Sequence, residues 1–458
     1  MTLALMVMTG SLLFALVFWN RPVIVLTAVV AVRILVPGMA EGFLTPYFHP
    51  AMYLLMAHVA VQAVFAWPRL RRALRLPIPL VLLILFLAGW MMFNSLSDYG
   101  GGLLAGALSL ARLLLLPLLL FLLIRDEVAT RPGSERVFIW TLHVLGVAQV
   151  VLGQMQMNAN EALVYENLYR QAWWWNDYVF RALGTVGHGI QLGFFLAALI
   201  FLTLRLRQVS LRIVLSCVYL YGILLAEARL ALIFALIASV IVLTASLFHR
   251  PVATLVWAAI AGSAAVPAIL VSEAYVSVLT KFEDDQGSNE LRLQAFQWAG
   301  ENFREFLWTG YAGTRDLMGA GLLDSSLENG YLIFGLSYGL FAAAVLAMVH
   351  LSISLGPLAS LRRWPLALPA SLAALLSIGA FFGSSSFMAQ ALEGTSLFVF
   401  AALAWTTATK VGRREDAPRK PSGAVSTTDD DGSRFDGGVS PNATSWPAPQ
   451  RRLLQPND

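Results

Sequence analysis

Long apolar runs divided by short polar connectors fill this chain from its start to about residue 411. The runs lie near 2–19, 22–38, 51–67, 77–95, 103–124, 137–153, 188–204, 213–226, 230–247, 252–272, 329–351, 365–383 and 396–411. A helix rises about 1.5 Å per residue, so about twenty apolar residues reach across a hydrocarbon layer of about 30 Å. The pattern predicts an all-α, polytopic integral membrane protein with about 12–13 transmembrane helices. The lower figure applies if the first two runs, parted only by Asn20-Arg21-Pro22, form one broken element. The first run lacks a basic leader and a small-residue cleavage site, so it is expected to be a retained span rather than a signal peptide.

The connectors alternate in charge. Arg69, Arg71, Arg72 and Arg75 form one basic group, and Arg125, Arg131 and Arg136 a second. Arg205, Arg207 and Arg212, then His249-Arg250, then Arg362-Arg363 complete the series. The connectors between them are poorer in basic residues or acidic on balance. Basic loops stay in the cytoplasm, so the other set is expected outside, with the N-terminus external. Two external connectors are long: 154–187, and 273–328, which is expected to carry short helices. The tail 412–458 is rich in Pro, Ser, Gly, Asp and Arg and is expected to be a disordered cytoplasmic segment beyond a membrane domain spanning 1–411.

Composition sharpens this picture. Hydrophobic residues make up 58% of the 458 and charged residues 13%, too little polar surface for a soluble domain of this size. The net charge of +4 does not mark a nucleic-acid binder, because the basic residues are scattered between apolar runs. A single cysteine, Cys217, excludes an intramolecular disulfide and a multi-thiolate metal site.

Charged groups within or beside apolar runs need a physical reason. Snorkelling to the interface suffices for Arg33; for Arg112, a buried structural ion pair and a functional role both stay open. In "LLAEARLALIFAL", Glu227 and Arg229 fall at an external hairpin, where they either pair locally or present a guanidinium fork to phosphate oxygens. Arg292 stands in the larger external connector, and Arg181 and His188 frame "RALGTVGHG" at the end of the other. Trp173, Trp174 and Trp175 read either as an interfacial aromatic belt or as a stacking platform for sugar rings, with Asn329 and His188 as further candidate glycan contacts. Glu328 opens the run "ENGYLIFGLSYGLF". A carboxylate there is explained by the positive end of a helix. It would also serve as a general base if an acceptor hydroxyl came within reach.

Four stretches in order resemble the O-antigen ligase and Wzy-type polymerase superfamily of bacterial membrane glycosyltransferases. They are "RALGTVGHGIQLGFFLAALIF", "AEARLALIFALI", "LRLQAFQWAGENFREFLWTGYAG" and "LENGYLIFGLSYGLF". Glu227 and Ala228 stand where the second motif usually carries small hydroxyl residues. The resemblance implies an inverting, metal-independent and cofactor-free glycosyl transfer at the outer face of the bacterial cytoplasmic membrane. The implied donor is a glycan on polyprenyl pyrophosphate, met by a glycan acceptor, with a chain-length regulator or a flippase as potential partners and no role for nucleic acid. Arg229 and Arg292 match the pyrophosphate-binding positions, with Arg181 as a third, and Glu328 matches the catalytic base. An acidic residue before "NGYL" resembles the exopolysaccharide polymerase branch more than the ligase branch. Transfer of a finished glycan to a lipid, protein or wall acceptor is the alternative within the superfamily. A lipid-linked sugar transporter is the alternative outside it, although the polar residues gather at one surface rather than at the midplane.

Overall fold

The computed structural model describes residues 2–41, 44–45, 47–96, 102–171, 181–270, 275–276, 280, 286–310, 327, 329–359, 364–382 and 392–415. Among these the chain is helical, with no strand beyond an isolated bridge between Glu41 and Thr45. The helices are α1 (Thr2–Val17), α2 (Pro22–Leu35), α3 (Pro50–Phe65), α4 (Trp67–Ala73), α5 (Ile78–Asn94), α6 (Gly102–Leu110) and α7 (Leu116–Thr130). Next come α8 (Ser134–Ala159), α9 (Glu166–Tyr169), α10 (Gly189–Thr203), α11 (Val209–Leu225), α12 (Arg229–His249) and α13 (Pro251–Leu270). Then follow α14 (Gln286–Glu301), α15 (Gly330–Tyr338), α16 (Leu340–Leu355), α17 (Trp364–Ala380) and α18 (Leu392–Glu415). Every apolar run of the sequence falls on one of these helices or on a consecutive pair.

Among the described residues, four helical segments are long and apolar enough to cross a membrane: Gly102–Thr130, Ser134–Ala159, Arg229–His249 and Leu340–Ala359. A fifth candidate, α4 with α5, is bent by 89°. The remaining apolar helices are shorter. In α12 the usual amphipathic rule is inverted. Its buried face is Ala231, Ala235, Ala238, Val242 and Ser246, while Ile233, Leu236, Ile237, Val240 and Phe248 point outward and are exposed. Water would penalise that outer face. Hydrocarbon would not, and the small inner residues let neighbouring backbones approach.

Breaks in the helices have local causes. Pro117 lacks an N–H and crowds the carbonyl four residues back, and the chain answers with one π-helical turn over Ala111–Leu115. The run 329–351 is not one helix, contrary to the continuous span its hydropathy suggested. It breaks at Gly339, which has φ of +94°. The first free N–H groups of α16 are satisfied from upstream: Leu340 N–H donates to Phe306 O at 2.8 Å and Phe341 N–H to Leu307 O at 3.0 Å. A Cβ on Gly339 would sit 2.3 Å from Trp308 O, so only glycine lets the upstream segment dock there.

The basic connectors meet at one end of the helices. Arg72 forms a two-point ion pair with Asp126 at 2.8 and 3.0 Å, Arg131 pairs with Glu127 at 3.3 Å, and Arg125 donates to Ala73 O and Arg75 O. Arg205 pairs with Glu135 at the same end, and Arg212 reaches Ser246 near the close of α12. Among the described residues, the candidates Arg181, His188, Glu227, Arg229 and Asn329 lie at the opposite end.

Candidate functional site

The loop "RALGTVGHG" is fixed by two buried glutamines of α8, spaced seven residues apart and therefore on one helix face. Gln156 uses all four of its hydrogen-bonding sites. Its Oε1 accepts from Leu183 N–H (3.1 Å) and Gly184 N–H (2.9 Å), and its Nε2 donates to Ala162 O (2.6 Å) and Gly184 O (2.9 Å). Gln149 accepts from Thr185 N–H and donates to Thr185 Oγ1, both at 2.7 Å. The same hydroxyl donates to Ile34 O at 2.7 Å, which ties the loop to the end of α2. Gly184, with φ of +56°, leaves the space that Gln149 occupies.

This loop lies directly on the hairpin carrying Glu227 and Arg229. Ala182 N–H donates to Leu225 O at 3.0 Å, and a Cβ on Gly189 would stand 2.6 Å from Ala226 O. A Cβ on Gly193 would stand 2.4 Å from the Cβ of Ala228. Glycines therefore let two segments distant in sequence run backbone to backbone. Arg181, His188, Glu227 and Arg229 are thereby brought to one place. Glu227 is buried in a left-handed turn with φ of +50°, and Arg229, half-buried, opens α12.

Arg181 Nη2 approaches His188 Nε2 at 2.8 Å, and Ile190 N–H approaches His188 Nδ1 at 3.2 Å as the cap of α10. A guanidinium can only donate. Both ring nitrogens thus face N–H groups; the neutral imidazole accepts through one of them, and a second proton on it, which would leave no acceptor, is disfavoured. Burial first, and the Arg181 charge second, push its pKa down to about 3.

A second polar group adjoins the first through α2. Arg33, expected to snorkel, is instead only 2% exposed, with Nε donating to Thr395 Oγ1 at 3.3 Å. Packed helices cover its side chain. Arg112 Nε lies 2.9 Å from Glu41 Oε1, in charge contact without hydrogen-bond alignment, and donates to Tyr47 O at 2.6 Å. This is the ion-pair alternative for Arg112. Burial raises the Glu41 pKa, opposed by Arg112 and Arg33. His49 donates from Nε2 to Val36 O at 3.0 Å and caps α3 through Nδ1. Glu41 and His49 were missed by sequence reasoning. The available signal was one carboxylate and one histidine in a short connector at the functional end.

The other expected residues divide as follows. Asn329 caps α15, its Oδ1 accepting from Leu332 N–H at 3.1 Å. Gly330 N–H donates to Phe381 O just beyond α17, and α17 packs along α10 with Gly379 against Phe234 of α12. Asn329 therefore stands at the same end as Arg181, His188 and Arg229. The backbone of Arg292 belongs to α14, but its side chain lies outside the described residues. Glu328 and Trp173, Trp174 and Trp175 also lie outside them. α14 docks through Ala295 and Ala299 onto Ile333 and Leu336 of α15, with Trp298 stacked on Phe306. The third and fourth motif stretches are therefore in contact, as the first and second are.

No protein-family model, curated protein or solved structure matches this chain.

Proposed function

We propose that this protein is a polytopic membrane glycosyltransferase that joins polyprenyl-pyrophosphate-linked oligosaccharide repeat units into a cell-surface polysaccharide. Carrying most weight is the packing of "RALGTVGHG" on "AEARLAL", which gathers Arg181, His188 and Arg229 at the end opposite the basic connectors. On the positive-inside rule that end is the outer face of the cytoplasmic membrane. Two further supports are the inverted amphipathy of α12 and the pairwise contact of all four motif stretches.

In this reading Arg181 and Arg229, with Arg292, hold the pyrophosphate and stabilise the negative charge that develops as it leaves. Such electrostatic stabilisation by fixed donors is a large contribution to catalysis. Glu328 takes the proton from an acceptor hydroxyl as its oxygen attacks the anomeric carbon. The bond from that carbon to the pyrophosphate oxygen breaks, and the polyprenyl pyrophosphate departs. Asn329, next to the base and fixed by its cap, contacts the glycan, and His188 holds the Arg181 side chain in place. Glu41, buried at this end as Glu227 is among the described residues, is the control for the assignment of Glu328.

The test is binding of a polyprenyl pyrophosphate to the purified protein in nanodiscs. Arg229→Ala and Arg181→Ala should each weaken binding about tenfold or more while leaving the protein inserted and monodisperse. Unchanged affinity in both variants would remove the pyrophosphate site and with it this reading.

A further inference from the structure

A second concentration of charge lies at the far end of the same helices. A cavity of about 810 Å³ opens there between the turn entering α8 and the turn joining α10 to α11. Glu135 and Arg205 form an ion pair in its wall, with side chains only 15% and 12% exposed. That pair cancels its own charge. Arg136 and Arg207, both exposed, face the same cavity from the two turns and make no hydrogen bond or ion pair among the described residues. The cavity thus holds a surplus of two positive charges, and the N-termini of α8 and α11, neither capped by a side chain, add to the field.

Apart from Gln208, the remaining side chains of the wall are apolar: Pro132, Ile139, Trp140, Leu206 and Leu211. Ile139 and Leu206 are buried beneath the arginines, and Trp140, 40% exposed, stands among the lining residues where an interfacial tryptophan is expected. A soluble phosphate would need a small polar cup. Here the space is much larger than a phosphate and combines a cationic lining with a hydrocarbon-like wall, which suits a headgroup followed by glycerol and the first acyl carbons.

We propose that this cavity binds the phosphate of an anionic phospholipid of the cytoplasmic leaflet, with Arg136 and Arg207 as its ligands. The bound lipid bridges α8 to the α10–α11 turn, the three helices whose other ends build the candidate site. The inference rests on the membrane reading above and not on the glycosyltransferase assignment.

The test uses the full-length protein, purified in detergent and exchanged into defined lipid, read by native mass spectrometry. The probes are phosphatidylglycerol, phosphatidylcholine and inorganic phosphate. Wild type should retain phosphatidylglycerol through purification and in preference to phosphatidylcholine. The double variant Arg136→Gln/Arg207→Gln should hold phosphatidylglycerol about 30-fold more weakly. Arg75→Gln, an exposed arginine outside the cavity at the same end, should match wild type. Equal retention in the double variant, or equal loss in Arg75→Gln, overturns the site. Inorganic phosphate displacing the lipid at low millimolar concentration overturns the lipid assignment in favour of a soluble anion. Failure of wild type to sediment with membranes would instead sink the membrane reading, a separately visible result.

Discussion

Replacing Gln156 by leucine, close in size but apolar, should loosen the candidate site without unfolding the protein. The change leaves Leu183 N–H and Gly184 N–H, now at 3.1 and 2.9 Å from Oε1, without an acceptor in a fully buried setting. Two carbonyls, Ala162 O and Gly184 O, lose a donor as well. Each orphaned buried donor costs about 1–3 kcal/mol, so the loop should lose about 2–6 kcal/mol of local stability. One factor of ten in an equilibrium corresponds to about 1.4 kcal/mol, so local opening should become about 30- to 20,000-fold more frequent. The assay is hydrogen–deuterium exchange of the peptide covering residues 181–188 in lipid nanodiscs. If exchange of Leu183 and Gly184 in Gln156→Leu stays within about threefold of wild type, the glutamine does not hold the loop and the reasoning fails.

Other consequences are equally specific. Arg112→Leu strands the Glu41 carboxylate, only 4% exposed, and should cost about 3–5 kcal/mol in thermal unfolding, while Arg112→Leu/Glu41→Leu should recover most of it; equal losses in both would refute the pairing. His188 has its folded pKa depressed to about 3 against an unfolded value near 6.5, so the unfolded chain binds the extra proton first. The stability it contributes is present above about pH 6.5 and is lost as pH falls toward about 3. His188→Asn should flatten that part of the melting-temperature profile, and an unchanged slope would contradict the neutral imidazole. Gly339→Ala should destabilise by about 1–3 kcal/mol or block folding, since its Cβ would meet Trp308 O at 2.3 Å; normal yield and melting temperature would show that the α15–α16 break is not pinned by that contact.

Much of the architecture was legible because apolar run length and helix length express the same constraint. Of the basic connectors, the arginines around 69–75, 125–136 and 205–212 meet at one end. The break at Gly339 was not legible, because hydropathy is continuous from Tyr331 to Leu355. Its cause is two carbonyls more than thirty residues upstream. Gln149 and Gln156 were readable in principle as polar residues at helical spacing near the end of an apolar run, yet only the fold identifies their partners. Of the site, Arg181, His188 and Arg229 could be named from sequence, but their meeting depends on Gly189 and Gly193, whose role appears only when the hairpin lies against them. Arg33 shows the reverse error. A charge near the end of an apolar run reads as an interfacial one, and burial by distant helices leaves no mark in local sequence.

The central claim is best tested by mass spectrometry of carrier-linked glycans, beside a polymer-length gel, in cells carrying wild type or Glu328→Gln, with Glu41→Gln for comparison. The account predicts that single repeat units accumulate on the polyprenyl carrier and long polymer disappears in Glu328→Gln. Long chains stranded on the carrier would point to a ligase instead. Profiles matching wild type would contradict the account, leaving Glu328 without a catalytic role.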